Sequence, residues 1–133
     1  MSRYIDKAKK LRARTDVHIN CAQGVTMTFA DVVGVTEDTD FGMGACFGSG
    51  MGMGATCGAI TGALMVLGLA GAQSEAAGLL RKVRENHDGM TDCRDLLRIN
   101  AQKGNPKKPH CDGMVYELVE LTEQILREKG TID

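Results

Sequence analysis

Apolar residues recur along most of this chain with the three- and four-residue steps of an α-helix. Tyr4, Ile5, Ala8 and Leu11 mark a short basic amphipathic helix. Ala22, Val25, Phe29 and Val32 predict a second helix from about Cys21 to Val33, which Gly34 can end. Thr36 is the expected N-cap of a third, running to about Phe47. Its first turn holds Glu37, Asp38 and Asp40, where carboxylates favour the macrodipole. Ala76, Leu79, Leu80 and Val83 give another helix, stopped by Asp88-Gly89. The clearest stripe is the last, with Met114, Leu118, Leu121 and Ile125 on one face and glutamates on the other, closed by Gly130. Asn105-Pro106 through Pro109 reads as a loop. No segment sustains a period of two. The fold class predicted is all-α, a compact bundle of about five or six helices forming one domain over residues 1–133.

The stretch between the third helix and Ala76 has a different pattern. Gly48 to Gly54 alternates glycine with Ser and Met, a backbone too permissive for a good helix, and is expected to be a loop. Cys57 to Ala72 then carries apolar residues on all sides, the mark of either a buried central helix or a membrane span. Gly54, Gly58 and Gly62 make a GxxxGxxxG, and no charged residue occurs from Phe41 to Ser74. The strongly apolar part, however, covers only Ile60 to Ala70. The expectation is therefore a Gly/Ala-rich helix at the centre of the bundle and no membrane span. Its small-residue face would admit a neighbouring helix or a second copy, so a homodimer is expected.

Composition removes several function classes. The chain has 133 residues, 16 basic and 17 acidic, with a net charge of −1. It has no electrostatic footprint for nucleic acid, and at 4% aromatics it has little to stack bases on. The sequence contains no G-K-[ST], which excludes a P-loop. The Gly50-x-Gly52-x-x-Ala55 run lacks the strand and acidic residue of a dinucleotide site. Met43, Met51 and Met53 near Cys46 are soft sulfur donors, better read as packing residues. His18 and His110 stand near cysteines, but each alone reads as a surface or capping residue.

What remains distinctive is the cysteines: Cys21, Cys46, Cys57, Cys93 and Cys111, with no C-x-x-C among them. An odd count and a charged opening segment without an apolar stretch point to a reducing, cytoplasmic setting. Four of the five fall at expected helix starts. Asn20 precedes Cys21 with Gln23 completing a capping-box pattern, Thr56 precedes Cys57, Thr91 caps the segment holding Cys93, and Cys111 opens the last helix. Free N–H groups and the positive dipole end stabilise a thiolate there. Cys46 falls near a helix end instead. Cysteine is also a common small core residue, so plain packing is the alternative reading.

Cys57-Gly-Ala-Ile-Thr-Gly62 is a C-G-A-x-x-G motif behind a Gly-rich run. With Asn20-Cys-Ala-Gln23 upstream, Cys93-Arg-Asp-Leu-Leu97 and a final Cys111, the chain resembles the C_GCAxxG_C_C family of redox-active proteins. More distantly it is similar to the non-haem part of split-Soret cytochromes, whose haem-attachment motifs it lacks. The resemblance implies that Cys21, Cys57, Cys93 and Cys111 are the functional four, with Gly58 beside them, and that Cys46 is an extra. It implies either an iron–sulfur or other metal centre on those four thiolates, or a thiol/disulfide redox centre, served by an unnamed redox partner. The competing expectation is a non-catalytic helical interaction or accessory module, in which the cysteines pack and the glycine faces mediate association.

Overall fold

The computed structural model describes residues 2–133. Seven α-helices follow in order: α1 Arg3–Arg12, α2 Cys21–Thr28, α3 Glu37–Gly44, α4 Gly58–Leu69, α5 Ala76–Asn86, α6 Cys93–Gln102 and α7 Lys107–Glu128. No strand occurs among the described residues; Thr56 and Asp92 form one isolated antiparallel bridge. The seventh helix beyond the pattern's five or six comes from α6, which the sequence marks only as a short segment. No helix among the described residues is long and apolar enough to cross a membrane.

One large apolar core joins six of the helices, and a smaller cluster of Leu11, Ile19 and Met27 packs against Phe41 of α3. Tyr4 and Ala8 of α1, Val25 of α2, Ile60, Ala63, Val66 and Leu67 of α4, and Leu79 and Val83 of α5 meet in the large core. Leu96 of α6 and the Met114, Val115, Leu118, Val119 and Leu126 stripe of α7 close it. Tyr4 stacks on Phe29 with centroids 5.1 Å apart. The central helix is α4, packed against α2, α5 and α7. Its mostly small, apolar surface is what a helix in that position requires. A Cβ on Gly62 would stand 2.7 Å from the Ala22 carbonyl oxygen, and one on Gly58 would stand 3.1 Å from the Ala22 nitrogen. The glycine face of the C-G-A-x-x-G motif is thus occupied by the chain's own α2.

Several boundaries differ from the pattern. The helix predicted to Val33 ends at Thr28. Phe29 caps it, and β-branched Val32 and Val33 follow as turns up to Gly34 (φ +73°). Helix α3 has the expected Thr36 cap, whose hydroxyl accepts from Thr39 N, but it stops at Gly44 rather than Phe47. The Gly-rich run is a loop, as expected. Gly50, Gly52 and Gly54 have positive φ, and so do Ser49 and Met51. The last helix begins at Lys107, so the predicted loop through Pro109 is shorter than expected. Pro109 sits in the first turn, where its missing N–H leaves no bond unmade.

Candidate functional site

The four motif cysteines reach the same place by three local devices. Cys21 is the first residue of α2. Its position is fixed by Asn20, whose side chain accepts from Gln23 N while Gln23 Oε1 accepts from Asn20 N, both at 2.8 Å. Asn20 Nδ2 also donates to the Gly44 carbonyl at 2.9 Å, tying this helix start to the end of α3.

Cys57 and Cys93 are held by backbone. Cys57 N donates to Thr91 O at 2.9 Å, and Cys93 N donates to Ala55 O at 2.6 Å, across the Thr56–Asp92 bridge. The N-caps are therefore Cys57 itself and Asp92, not the expected Thr56 and Thr91. The reason is the bridge: Thr56 and Thr91 lie on the paired backbone just before the helices. Gly58 has a structural reason to be glycine, since a Cβ there would also meet Phe47 O at 2.9 Å.

Cys111 is not in the first turn of its helix. Because α7 starts at Lys107, Cys111 is its fifth residue and faces the site one turn in, four residues after Lys107.

All four thiols line one cavity of about 100 Å³, together with Gly48, Ser49, Gly50 and Gly58 of the glycine-rich segment. All are free thiols. Cys57 is buried at 5% exposure, and the other three are partly buried. Cys46 is exposed and lies off the cavity, and Met43, Met51 and Met53 are exposed as well.

The thiols are not equivalent. Cys21 and Cys111 lie close enough that each is the largest influence on the other's proton affinity. The Cys111 thiol is lowered to about 6, first by its neighbour Cys21, then by the Arg12 and Lys107 cations working against burial. The Cys21 thiol is raised, first by its neighbour Cys111 and then by burial. Burial pushes Cys57 up to about 11, although the N–H groups of Ala59 and Ile60 at the start of α4 pull the other way. Burial likewise raises Cys93, with the Cys111 charge adding to it. His110 at the cavity wall is lowered by burial and by nearby His87.

Arg12 and Lys107 are site residues that the sequence pattern missed. Arg12 belongs to the basic face of α1, which reads as solvated. Its side chain is instead 7% exposed, with Nε 2.7 Å from Asp112 Oδ1 and Nη1 donating to Ile19 O at 2.7 Å. Lys107 was hidden by the loop reading. Taking Asn105-Pro106 as a helix start would have placed it one turn before Cys111.

No group of three or more His, Cys, Asp or Glu side chains among the described residues is arranged to hold a single metal ion. A tetrahedral ion needs every sulfur about 2.3 Å from one centre. A polynuclear iron–sulfur cluster asks less, because each thiolate binds a different iron and the ligands stand further apart. Four thiols line this cavity with glycine backbone on one side, the donor type that such a cluster uses.

No curated protein and no solved structure matches the chain. Residues 19–125 match the family described as "Putative redox-active protein (C_GCAxxG_C_C)", a span that begins just before Cys21 and contains all four cavity thiols. With most of its length in that match and its four motif cysteines around one cavity, this chain belongs to the C_GCAxxG_C_C family.

Proposed function

We propose that the protein is a thiol–disulfide redox protein in which Cys21 and Cys111 cycle between two thiols and one disulfide. The observation that carries this is their meeting: two thiols from opposite ends of the chain line one cavity, with Arg12 and Lys107 beside them lowering Cys111. That gives a thiolate near neutral pH beside a second thiol able to resolve a mixed disulfide, the pairing that exchange chemistry requires. Cys57 and Cys93, raised by burial, stay protonated at neutral pH and form the apolar side of the cavity. Oxidation with diamide followed by peptide mapping is expected to find a Cys21–Cys111 disulfide. That disulfide is absent from Cys111→Ser. Intact free thiols at both positions in oxidised, folded protein would remove this reading.

A second reading rests on all four thiols lining one cavity. Cys21, Cys57, Cys93 and Cys111 would hold an iron–sulfur cluster, which when bound supplies one-electron transfer. The residues' own part is to exclude water with Leu96 and Met114 and to offer N–H groups to sulfur from the glycine-rich segment and the start of α4. Anaerobic reconstitution with iron and sulfide tests it. Visible absorbance that is lost in both Cys57→Ser and Cys93→Ser supports the cluster, whereas the dithiol reading gives Cys57 and Cys93 no covalent role.

A further inference from the structure

A second cavity, of about 310 Å³, meets the first and shares Arg12, His18, Lys107 and Cys111 with it. Arg14 and Lys108 complete its charged lining, and buried Ile19 gives it an apolar patch. Four of its lining side chains are permanent cations and none is a carboxylate. Asp112 answers Arg12 and Lys108, and Asp16 answers Arg14, from outside the lining. Lys107 has no ion-pair partner among the described residues, and positive charge remains in excess. One wall is the start of α7, whose unbonded N–H groups add to the positive potential. A cationic recess around a single sulfur has an evident complement, an anionic ligand that presents an electrophile to that sulfur.

We propose that this cavity seats a small anionic disulfide, with its carboxylates against Lys107, Arg14 and Lys108 and one of its sulfurs on Cys111. The proposal rests on the dithiol reading and names its substrate class. The Cys111 thiolate attacks that sulfur; a bond forms between Cys111 and one half of the substrate, and the other half leaves as a thiolate. Cys21 then gives up its proton and attacks Cys111. The Cys21–Cys111 disulfide forms and the second half leaves. Two electrons pass from the protein pair to the substrate disulfide, and the Cys21 proton together with one from water yields two substrate thiols. Arg12 is a positioning residue here, pinned between Asp112 and Ile19 O beside the reacting sulfurs.

The test compares three simple aliphatic disulfides on the whole protein: dithiodipropionate (two negative charges), hydroxyethyl disulfide (neutral) and cystamine (two positive charges). The rate of Cys21–Cys111 disulfide formation is followed by quenching and peptide mapping. The anionic probe is expected to react about tenfold or more faster than the cationic one at low salt. That ratio should fall at high salt and collapse in Arg14→Glu and in Lys107→Glu. Using a ratio cancels any change these substitutions make to the reactivity of Cys111 itself. If the ratio is near one, or unmoved by either charge reversal while the disulfide still forms, the substrate class is wrong and the dithiol reading survives. If no probe, nor diamide, yields the disulfide, both are overturned.

Discussion

Cys57 and Cys93 reach the cavity on backbone tied to backbone, whereas Cys21 and Cys111 reach it on helices whose surroundings are charged. In the first pair two main-chain hydrogen bonds clip the segments together, and the thiols are raised by burial. In the second pair the thiols lie beside each other, with Arg12 and Lys107 close enough to lower one of them. Three of the four stand at or next to a helix N-cap, yet the strongly lowered thiol is the fourth, one turn into its helix. Helix-end dipoles therefore do not decide reactivity here. Desolvation outweighs them at Cys57, and the neighbouring Cys21 with two nearby cations outweighs desolvation at Cys111.

That contrast can be broken most severely by separating the halves. Gly62→Val puts side-chain atoms against the Ala22 carbonyl, which belongs to rigid helix backbone, and pushes α4 off α2. The expected loss is about 3 kcal/mol or more in urea unfolding, and the four thiols should become alike toward alkylation.

Next in size is the reactivity gap itself. With Cys111 at about 6 and Cys57 at about 11, the thiolate fractions at pH 7 differ by several powers of ten. The lower intrinsic nucleophilicity of the more acidic thiol returns part of this, leaving Cys111 about a hundredfold faster with iodoacetamide. The Cys111 rate should climb between pH 5 and 7 and then level off, while that of Cys57 keeps rising to about pH 11. Equal rates in folded protein would end the comparison.

Arg12→Gln sharpens the comparison by removing one cation and half of the buried ion pair. It should slow Cys111 alkylation at pH 6 several-fold, leave Cys57 unchanged, and cost about 2 kcal/mol of stability. The cost and the slowing are separable, because Asp112→Asn breaks the pair while keeping the cation.

The smallest effect lies away from the cavity and serves as its control. Asp40 is 2% exposed, its Oδ2 has no hydrogen-bond partner, and its carboxyl is raised by burial and then by Glu37. The folded state thus holds this proton more tightly than the unfolded chain. Stability from this group is gained as pH falls through its folded value toward the unfolded carboxylate value, and is lost as pH rises again. Asp40→Asn should add about 1 kcal/mol at pH 7 and remove that slope, with thiol alkylation unaffected.

Features with causes a few residues away are legible in the sequence, and those with distant causes are not. The Asn20–Gln23 capping box, the Thr36 cap, the stop at Asp88-Gly89 and the α7 stripe all lie within a few residues, and the sequence shows them. The α7 start was misplaced because Pro109 reads as a loop residue unless its place in the first turn is known. The Thr56–Asp92 bridge was invisible because neither side alternates, and it displaced two expected caps. Met43, Met51 and Met53, expected as packing residues, are exposed instead, because hydrophobicity alone does not say which side of the loop a side chain takes.

What the sequence determined by itself was the helical class, the apolar central helix and the four cysteines worth following, since periodicity and motif are properties of neighbouring residues. Only the tertiary structure decided that Cys21 meets Cys111, that the motif glycines serve α2 within the chain, and that Arg12 turns inward. Those outcomes depend on which distant groups are brought within hydrogen-bond reach and how much water is removed around them. Coulomb energy and desolvation both change steeply over a few ångströms, and spacing along a chain does not encode that distance.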